Sequence, residues 1–151
     1  MGKVIDDSKS VHLYYYRKSN KLKFGNKVCN TVIPTEKDEN IEKGPLPLAT
    51  YLIDIERINK EVHNTPWHNL LAPLEDGTGY YGYGDKFLWR MYRNRRCNFG
   101  LHPGTVSWGC VTVNHSDWND VNNFTNSGSL KYLGNNGKEQ HFNGYLTVLD
   151  E

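Results

Sequence analysis

Short runs of apolar, aromatic and β-branched residues, broken by polar turns, form the pattern of the first third of the chain. Residues 12–16, 22–24 and 27–33 (HLYYY, LKF and KVCNTVI) predict three strands. The polar stretch 17–21 and the Gly25-Asn26 pair between them favour turns, so this region is expected to form a hairpin or meander.

The middle of the chain combines one clear strand with segments of weaker pattern. The prolines of Gly44-Pro-Leu-Pro47 fix an extended backbone before the apolar run 49–55 (ATYLIDI), which predicts a strand. Residues 56–64 predict either a short helix or a continued strand edge. Residues 65–84 have the composition of a loop and end in GTGYYGYG.

The last third predicts two short helices between strands. Asp85 is a candidate cap for a helix over 86–93, and Ser116 is a candidate cap for a helix over 117–124. Strands are expected twice within residues 98–113 and once each at 130–133 and 144–149.

These elements predict one mainly-β domain over residues 1–151, a sandwich or barrel with one or two short helices. Residues 1–10 are expected to form a flexible tail. The aromatic fraction of 13%, with ten tyrosines and four tryptophans, favours β-structure over a helical bundle.

Charge and hydropathy exclude two classes of partner. A formal net charge of +1 favours neither nucleic acid nor a membrane surface. The N-terminal MGKVIDDSKS has no apolar core of a signal peptide, and no stretch approaches the length of a transmembrane span. The chain is therefore expected to stay in the cytoplasm or to leave it by a route without such a signal.

Three cysteines cannot all pair within one chain. A Cys29–Cys97 bridge that leaves Cys110 as a thiol, and three reduced thiols, are both open. Neither the cysteines nor the six histidines have the spacing of a metal site, so no metal is expected. Four histidines are expected at the surface or in loops: His12, His63, His68 and His141.

The segment FGLHPGTVSWGCVTV, residues 99–113, is the strongest candidate for chemistry. A cysteine attacks a carbonyl as the thiolate, so Cys110 needs a base, and His102 is the nearest one. Eight residues allow the chain to leave one strand, turn at Pro103-Gly104 and return on a neighbouring strand. The alternative is a structural cysteine beside a common turn.

The residues between the histidine and the cysteine suit a substrate site. Gly109 removes a side chain where the backbone must approach a substrate, and the amides of Gly109 and Cys110 can face a developing oxyanion. Ser107 either donates to the substrate or braces the turn. Gly104 and Trp108 complete the candidate substrate and oxyanion residues.

The pattern H-P-G-x-x-S-x-G-C-V over residues 102–111 resembles the His…Ser-x-Gly-Cys signature of the L,D-transpeptidase catalytic domain. Gly44-Pro-Leu-Pro-x-x-Thr-Tyr51 resembles the step that opens a strand in this superfamily. The stretches 13–24 and 144–149 resemble its opening hairpin and closing strand. The likeness spans the chain from about Leu13 to Leu149 and is nearest to compact antibacterial effectors of type VI secretion.

The resemblance implies a mainly-β fold and a cysteine L,D-carboxypeptidase or L,D-transpeptidase. Cys110 would be the nucleophile and His102 the general base. The substrate would be the peptidoglycan stem peptide, cut at the L-to-D bond between its third and fourth residues. The acyl-enzyme would pass to water or to an amine, which includes exchange of the terminal D-amino acid, and no metal or cofactor is implied.

This chain also departs from the family pattern at four places, one of which is that the conventional catalytic histidine lies much further upstream of the cysteine than His102 does. Trp108 stands where conventional members have a second histidine, and Val111-Thr112-Val113 stands where an arginine usually follows the cysteine. Ala49 replaces the usual glycine of the strand-opening step. These departures leave open an inactive relative, or an active one in which another residue binds the substrate carboxylate.

Two further groups are candidates for substrate binding. Tyr81 and Tyr83, in GTGYYGYG, line either a lid over the cleft or a plain turn. Arg90 and Arg93, in a basic run, form either an edge that binds stem-peptide carboxylates or a solvated face.

The leading hypothesis is an antibacterial toxin that acts in the periplasm of a target cell. Without a signal peptide, the protein would need a secretion apparatus to reach that compartment, and a cognate immunity protein is expected. The alternative is a non-catalytic module of the same fold that binds peptidoglycan or a peptide.

Overall fold

The computed structural model of the chain describes residues 2–37, 44–73, 79–80, 99–107, 109–134 and 137–151. These ranges contain eleven strands and one helix. The strands are β1 (Lys3–Lys9), β2 (Val11–Tyr16), β3 (Lys21–Phe24), β4 (Lys27–Asn30), β5 (Thr50–Asp54), β6 (Arg57–Asn59), β7 (Thr65–Leu71), β8 (Gly100–Pro103), β9 (Val111–Val113), β10 (Ser129–Leu133) and β11 (Glu139–Leu149). The helix α1 spans His115–Asn126.

The strands form one sheet with the main order β4-β3-β2-β11-β5-β7-β8-β9. β10 pairs with β1 and β11, and β6 pairs with β7. Most pairs are antiparallel, whereas β2–β11 and β8–β9 are parallel. The predicted mainly-β fold with a short helix is confirmed.

The two ends of the sheet meet at the segment that follows β4. Thr31 forms an antiparallel bridge with Val113 of β9, and the Val32 amide donates to the Thr112 carbonyl over 2.9 Å. Pro34 continues the contact with a bridge to Ser107. The sheet therefore curls into a nearly closed barrel, and β9 lies at the seam.

The main core lies inside this curl. Strand alternation directs the same-face residues Leu101, Val111 and Val113 inward, where they join Trp118 and Val121 of α1. A second, smaller cluster is formed by residues of β5, β7, β10 and β11: Leu52, Leu71, Leu130, Tyr132 and Phe142. Since Leu101, Val111 and Val113 fill the inner face, the alternate residues of β8 and β9 point to the opposite face of the sheet.

Three sequence predictions about the elements are wrong. The flexible tail expected at residues 1–10 is wrong for its described part, because Lys3–Lys9 pair with β10. Residues 65–71 are a strand rather than a loop. The N-cap of α1 is Asn114, not Ser116, which lies inside the helix.

The structure also decides two further predictions about the elements. Residues 57–59 continue as a strand edge rather than a helix, and they pair with the start of β7. The helix predicted over 117–124 is confirmed within α1, where Trp118 and Val121 are buried and Phe124 packs against the core. The helix predicted at 86–93 lies outside the described residues.

Candidate active site

The His–Cys segment contains the two neighbouring strands that the sequence predicted, β8 and β9, and the structure pairs them in parallel. His102 lies in β8 opposite Thr112 of β9, and Leu101 lies opposite Val111. Because Val111 points into the core, strand alternation directs Thr112 toward the other face. Cys110 lies in the bend directly before β9, and the same alternation continued back by one residue directs it to that face as well. That face is the one that carries His102.

His102 is buried, and its two ring nitrogens have different partners. Nδ1 lies 2.8 Å from the Pro103 carbonyl oxygen, which only accepts, so Nδ1 carries the proton and donates it. Nε2 then holds the lone pair, and the Thr112 hydroxyl lies 3.3 Å away and donates to it. The backbone carbonyl thus fixes the tautomer and leaves Nε2 as the basic atom.

Burial also sets the charge of this ring. Desolvation lowers the pKa of His102, while the hydrogen bond to the Pro103 carbonyl opposes that shift. The imidazole is therefore biased toward the neutral form that a general base requires.

A tryptophan holds the His102 ring from one side. The Trp67 indole stacks on it with ring centroids 4.1 Å apart and planes 3° apart. Gly100 makes room for this stack, because a Cβ there would lie 2.3 Å from the indole atoms Cε2 and Nε1. Sequence reasoning missed Trp67 because the segment around it was predicted as a loop.

The turn before Cys110 is braced from within. Ser107 is fully buried, and its hydroxyl donates to the Cys110 carbonyl over 2.8 Å. Ser107 was expected either to donate to the substrate or to brace the turn, and this hydrogen bond fits the second role. Gly109 has φ 100°, in the region that favours glycine, so the backbone direction just before the cysteine depends on that residue.

Gly104 leaves space beside the histidine. Gly104 directly follows the end of β8, and its amide donates to the Val113 carbonyl over 3.0 Å. A Cβ at this position would lie 3.3 Å from Cγ2 of Thr112 and 3.7 Å from the His102 ring. Gly104 therefore packs directly against the pair formed by His102 and Thr112.

The two described cysteines lie in different surroundings. Cys29 is buried in the main core as a reduced thiol, and burial, with a smaller contribution from Asp117, raises its pKa to about 11. Such a thiol is inert near neutral pH. Cys110 is only half-buried, at the end of a turn. The Cys97 position lies outside the described residues.

Several other predicted site residues fall outside the described ranges: Trp108, Tyr81, Tyr83, Arg90 and Arg93. His12, His63 and His141 are exposed, as expected. His68 is not at the surface or in a loop. It lies in β7, fully buried, between the Asp54 carbonyl and Asn122 of α1.

Within the described residues, no group of three or more His, Cys, Asp and Glu side chains is placed to hold a metal ion. In the same part of the chain, no helix has the length and apolar character needed to cross a bilayer. Comparisons of the chain with protein-family models, curated proteins and solved structures find no match in any of the three.

Proposed function

We propose that this protein is a peptidoglycan-targeting cysteine enzyme, an L,D-carboxypeptidase or L,D-transpeptidase, that acts as an antibacterial toxin in the target-cell periplasm. The observation that supports it best is the state of His102. Its ring is buried, its Nδ1 proton is held by a backbone carbonyl, and its basic Nε2 meets the Thr112 hydroxyl, two residues along the chain from Cys110.

The proposed chemistry uses these groups in order. His102 Nε2 accepts the proton of the Cys110 thiol, and the thiolate attacks the carbonyl carbon of the stem-peptide bond. The amides of Gly109 and Cys110 stabilise the oxyanion, and the imidazolium returns its proton to the departing amine of the D-amino acid. Water or another amine then releases the acyl group from Cys110.

The positions around the reacting atoms fit this sequence of steps. Ser107 fixes the Cys110 carbonyl, and Gly109 fixes the turn that presents the two amides. Trp67 and the Pro103 carbonyl hold the ring so that its orientation is set before the substrate arrives. Preorganisation of this kind is a main source of catalytic rate.

The test compares two cysteine substitutions in the same protein. Cys110→Ala is expected to abolish toxicity of the protein directed to the periplasm, and also its effect on tetrapeptide muropeptides followed by mass spectrometry. Cys29→Ala is the matched control, because Cys29 is a buried core thiol, and it should retain both.

The products separate the alternatives. Loss of one D-alanine identifies a carboxypeptidase, whereas dimers or exchanged D-amino acids identify a transpeptidase. Retained toxicity of Cys110→Ala would rule out cysteine catalysis. Muropeptides that bind without change would favour the non-catalytic binding module.

A further inference from the structure

Three contacts hold the His102 ring in one orientation. The Pro103 carbonyl accepts from Nδ1, the Trp67 indole covers one face, and the Thr112 hydroxyl meets Nε2. A rotation that aimed Nε2 elsewhere would break the 2.8 Å hydrogen bond at Nδ1 and the 3° stack together. The basic nitrogen therefore faces Thr112 rather than turning freely toward a nucleophile.

Thr112 is a neighbour of both His102 and Cys110, of the first across the strand pair and of the second along the chain. It is fully buried and directly opposite His102 in the parallel register. Cys110 lies in the bend directly before β9, two residues before Thr112, and continuing the alternation of β9 back by that one residue directs both side chains to the same face of the sheet. A hydroxyl donates one proton and accepts another, which is the property that a bridge between a thiol and an imidazole needs.

From this arrangement we infer that Thr112 relays the Cys110 proton to His102 Nε2, so that Thr112 is a third member of the reacting group. The inference rests on the proposed function, since it gives the proton of the same nucleophile a defined path.

The relay balances without a further reactant. The Cys110 S–H bond breaks as its proton moves to Thr112 Oγ1, and the Thr112 O–H bond breaks as its own proton moves to His102 Nε2. The products are a thiolate, an unchanged neutral hydroxyl and an imidazolium. In that state the Thr112 hydroxyl donates to the thiolate and accepts from Nε2–H, so it stabilises both charges.

Two substitutions isolate the hydroxyl. Thr112→Val keeps the branched shape and removes the hydroxyl, whereas Thr112→Ser keeps the hydroxyl and removes a methyl group. The readout is the rate at which iodoacetamide alkylates Cys110 in the intact protein between pH 5 and 9, with peptide mass spectrometry resolving Cys110 from the other cysteines. This rate follows the thiolate and needs no substrate. Thermal unfolding identifies any variant that fails to fold.

Thr112→Val is expected to slow alkylation at pH 7 by about 10- to 100-fold, the effect of losing one hydrogen bond to a charged group. It should also move the pH midpoint upward, and Thr112→Ser should restore the wild-type profile. His102→Gln should slow alkylation by a similar factor. Adding Thr112→Val to His102→Gln should lower the alkylation rate little further.

The outcomes distinguish the inference from the proposed function. If Thr112→Val keeps the wild-type profile while His102→Gln loses it, the relay is wrong and direct transfer to His102 stands. If His102→Gln also keeps the wild-type profile, His102 does not activate Cys110, and both the relay and the proposed chemistry are overturned.

Discussion

His68 and His102 lie on neighbouring strands, β7 and β8, and both are buried, but their side chains enter opposite faces of the sheet. His68 pairs with Leu101 and points with it toward the core and α1, where its ring lies near Trp118. His102 is one residue further along β8 and points the other way. A shift of one position along a strand thus separates a core histidine from a candidate catalytic one.

The hydrogen bonds of the two rings explain the difference. His68 has an oxygen at each nitrogen, the Asp54 carbonyl at Nδ1 and Asn122 Oδ1 at Nε2, both at 2.8 Å. Glu56 holds the Asn122 amide in that orientation by accepting from its Nδ2. His102 has a carbonyl at only one nitrogen and a hydroxyl at the other. The partner of the second nitrogen, rather than burial, marks the ring that can act as a base.

The largest expected effect comes from the same substitution at both histidines. His102→Gln should lower the rate of D-amino acid release or exchange by about 10²- to 10⁴-fold, because a general base contributes on that scale. His68→Gln should leave the rate within a few-fold of wild type, measured by mass spectrometry of muropeptides.

The effects of these two substitutions on stability should have the opposite order to their effects on activity. His68→Gln is expected to lower the free energy of unfolding by about 1–3 kcal/mol, since it leaves a buried oxygen without its donor. Urea unfolding checks this value. An equal loss of activity in the two variants would contradict the separation of their roles.

A smaller effect is expected from Gly100→Ala, which acts on the ring support and not on the base itself. Its Cβ would meet the indole at 2.3 Å, so Trp67 must leave the His102 face. We expect a loss of about 1–3 kcal/mol in unfolding free energy, typical of overpacking, and a smaller drop in activity than in His102→Gln.

A double-mutant cycle with Trp67→Phe tests that cause. The smaller ring relieves the contact, so Gly100→Ala combined with Trp67→Phe should be less destabilised than the sum of the two single variants. Simple additivity would show that Gly100 is required for a reason other than the indole.

The smallest expected effect is a pH dependence of stability from His102. Burial lowers its pKa, so below the ordinary value of 6.5 the unfolded chain binds a proton that the folded ring does not. Stability should therefore fall as the pH drops through 6.5 toward the folded value, by at most about 1.4 kcal/mol per pH unit for one proton.

His102→Gln removes this contribution, so the wild type should lose stability faster than the variant on acidification. Urea titrations of both proteins between pH 7 and 5 measure the difference. A difference that stays constant over this range would contradict the neutral, buried state of the ring.

The sequence predicts the fold well where one face of a strand is buried. The hairpin of β2, β3 and β4 and the strand β5 match the predicted runs closely. Residues 65–71 were predicted as a loop because both faces are covered there: Trp67, His68, Leu70 and Leu71 are all buried, so no alternation remains. β1 was missed because its residues are almost all exposed and it depends on pairing with β10.

The sequence predicts the part of the candidate site that comes from one continuous segment of the chain. Spacing and turn residues predicted two neighbouring strands within residues 98–113, and β8 and β9 do pair, with His102 in β8 and Cys110 in the bend directly before β9. Trp67 comes from a different strand, and its stacking depends on the missing side chain of Gly100, which no local pattern encodes. Thr112 carried a usable signal, because it lies two residues after Cys110 at a predicted strand, and strand alternation predicts that such residues share a face.

The position of β11 has a consequence for the timing of folding. β11 lies between β2 and β5, pairing in parallel with the first and antiparallel with the second. It is the last strand in the sequence, so the ladder that joins β2 to β5 cannot form until nearly all of these residues have left the ribosome. Such long-range pairing slows folding. We expect the seam and the His102 site to assemble only after β11 has emerged, with β11 insertion as a late step.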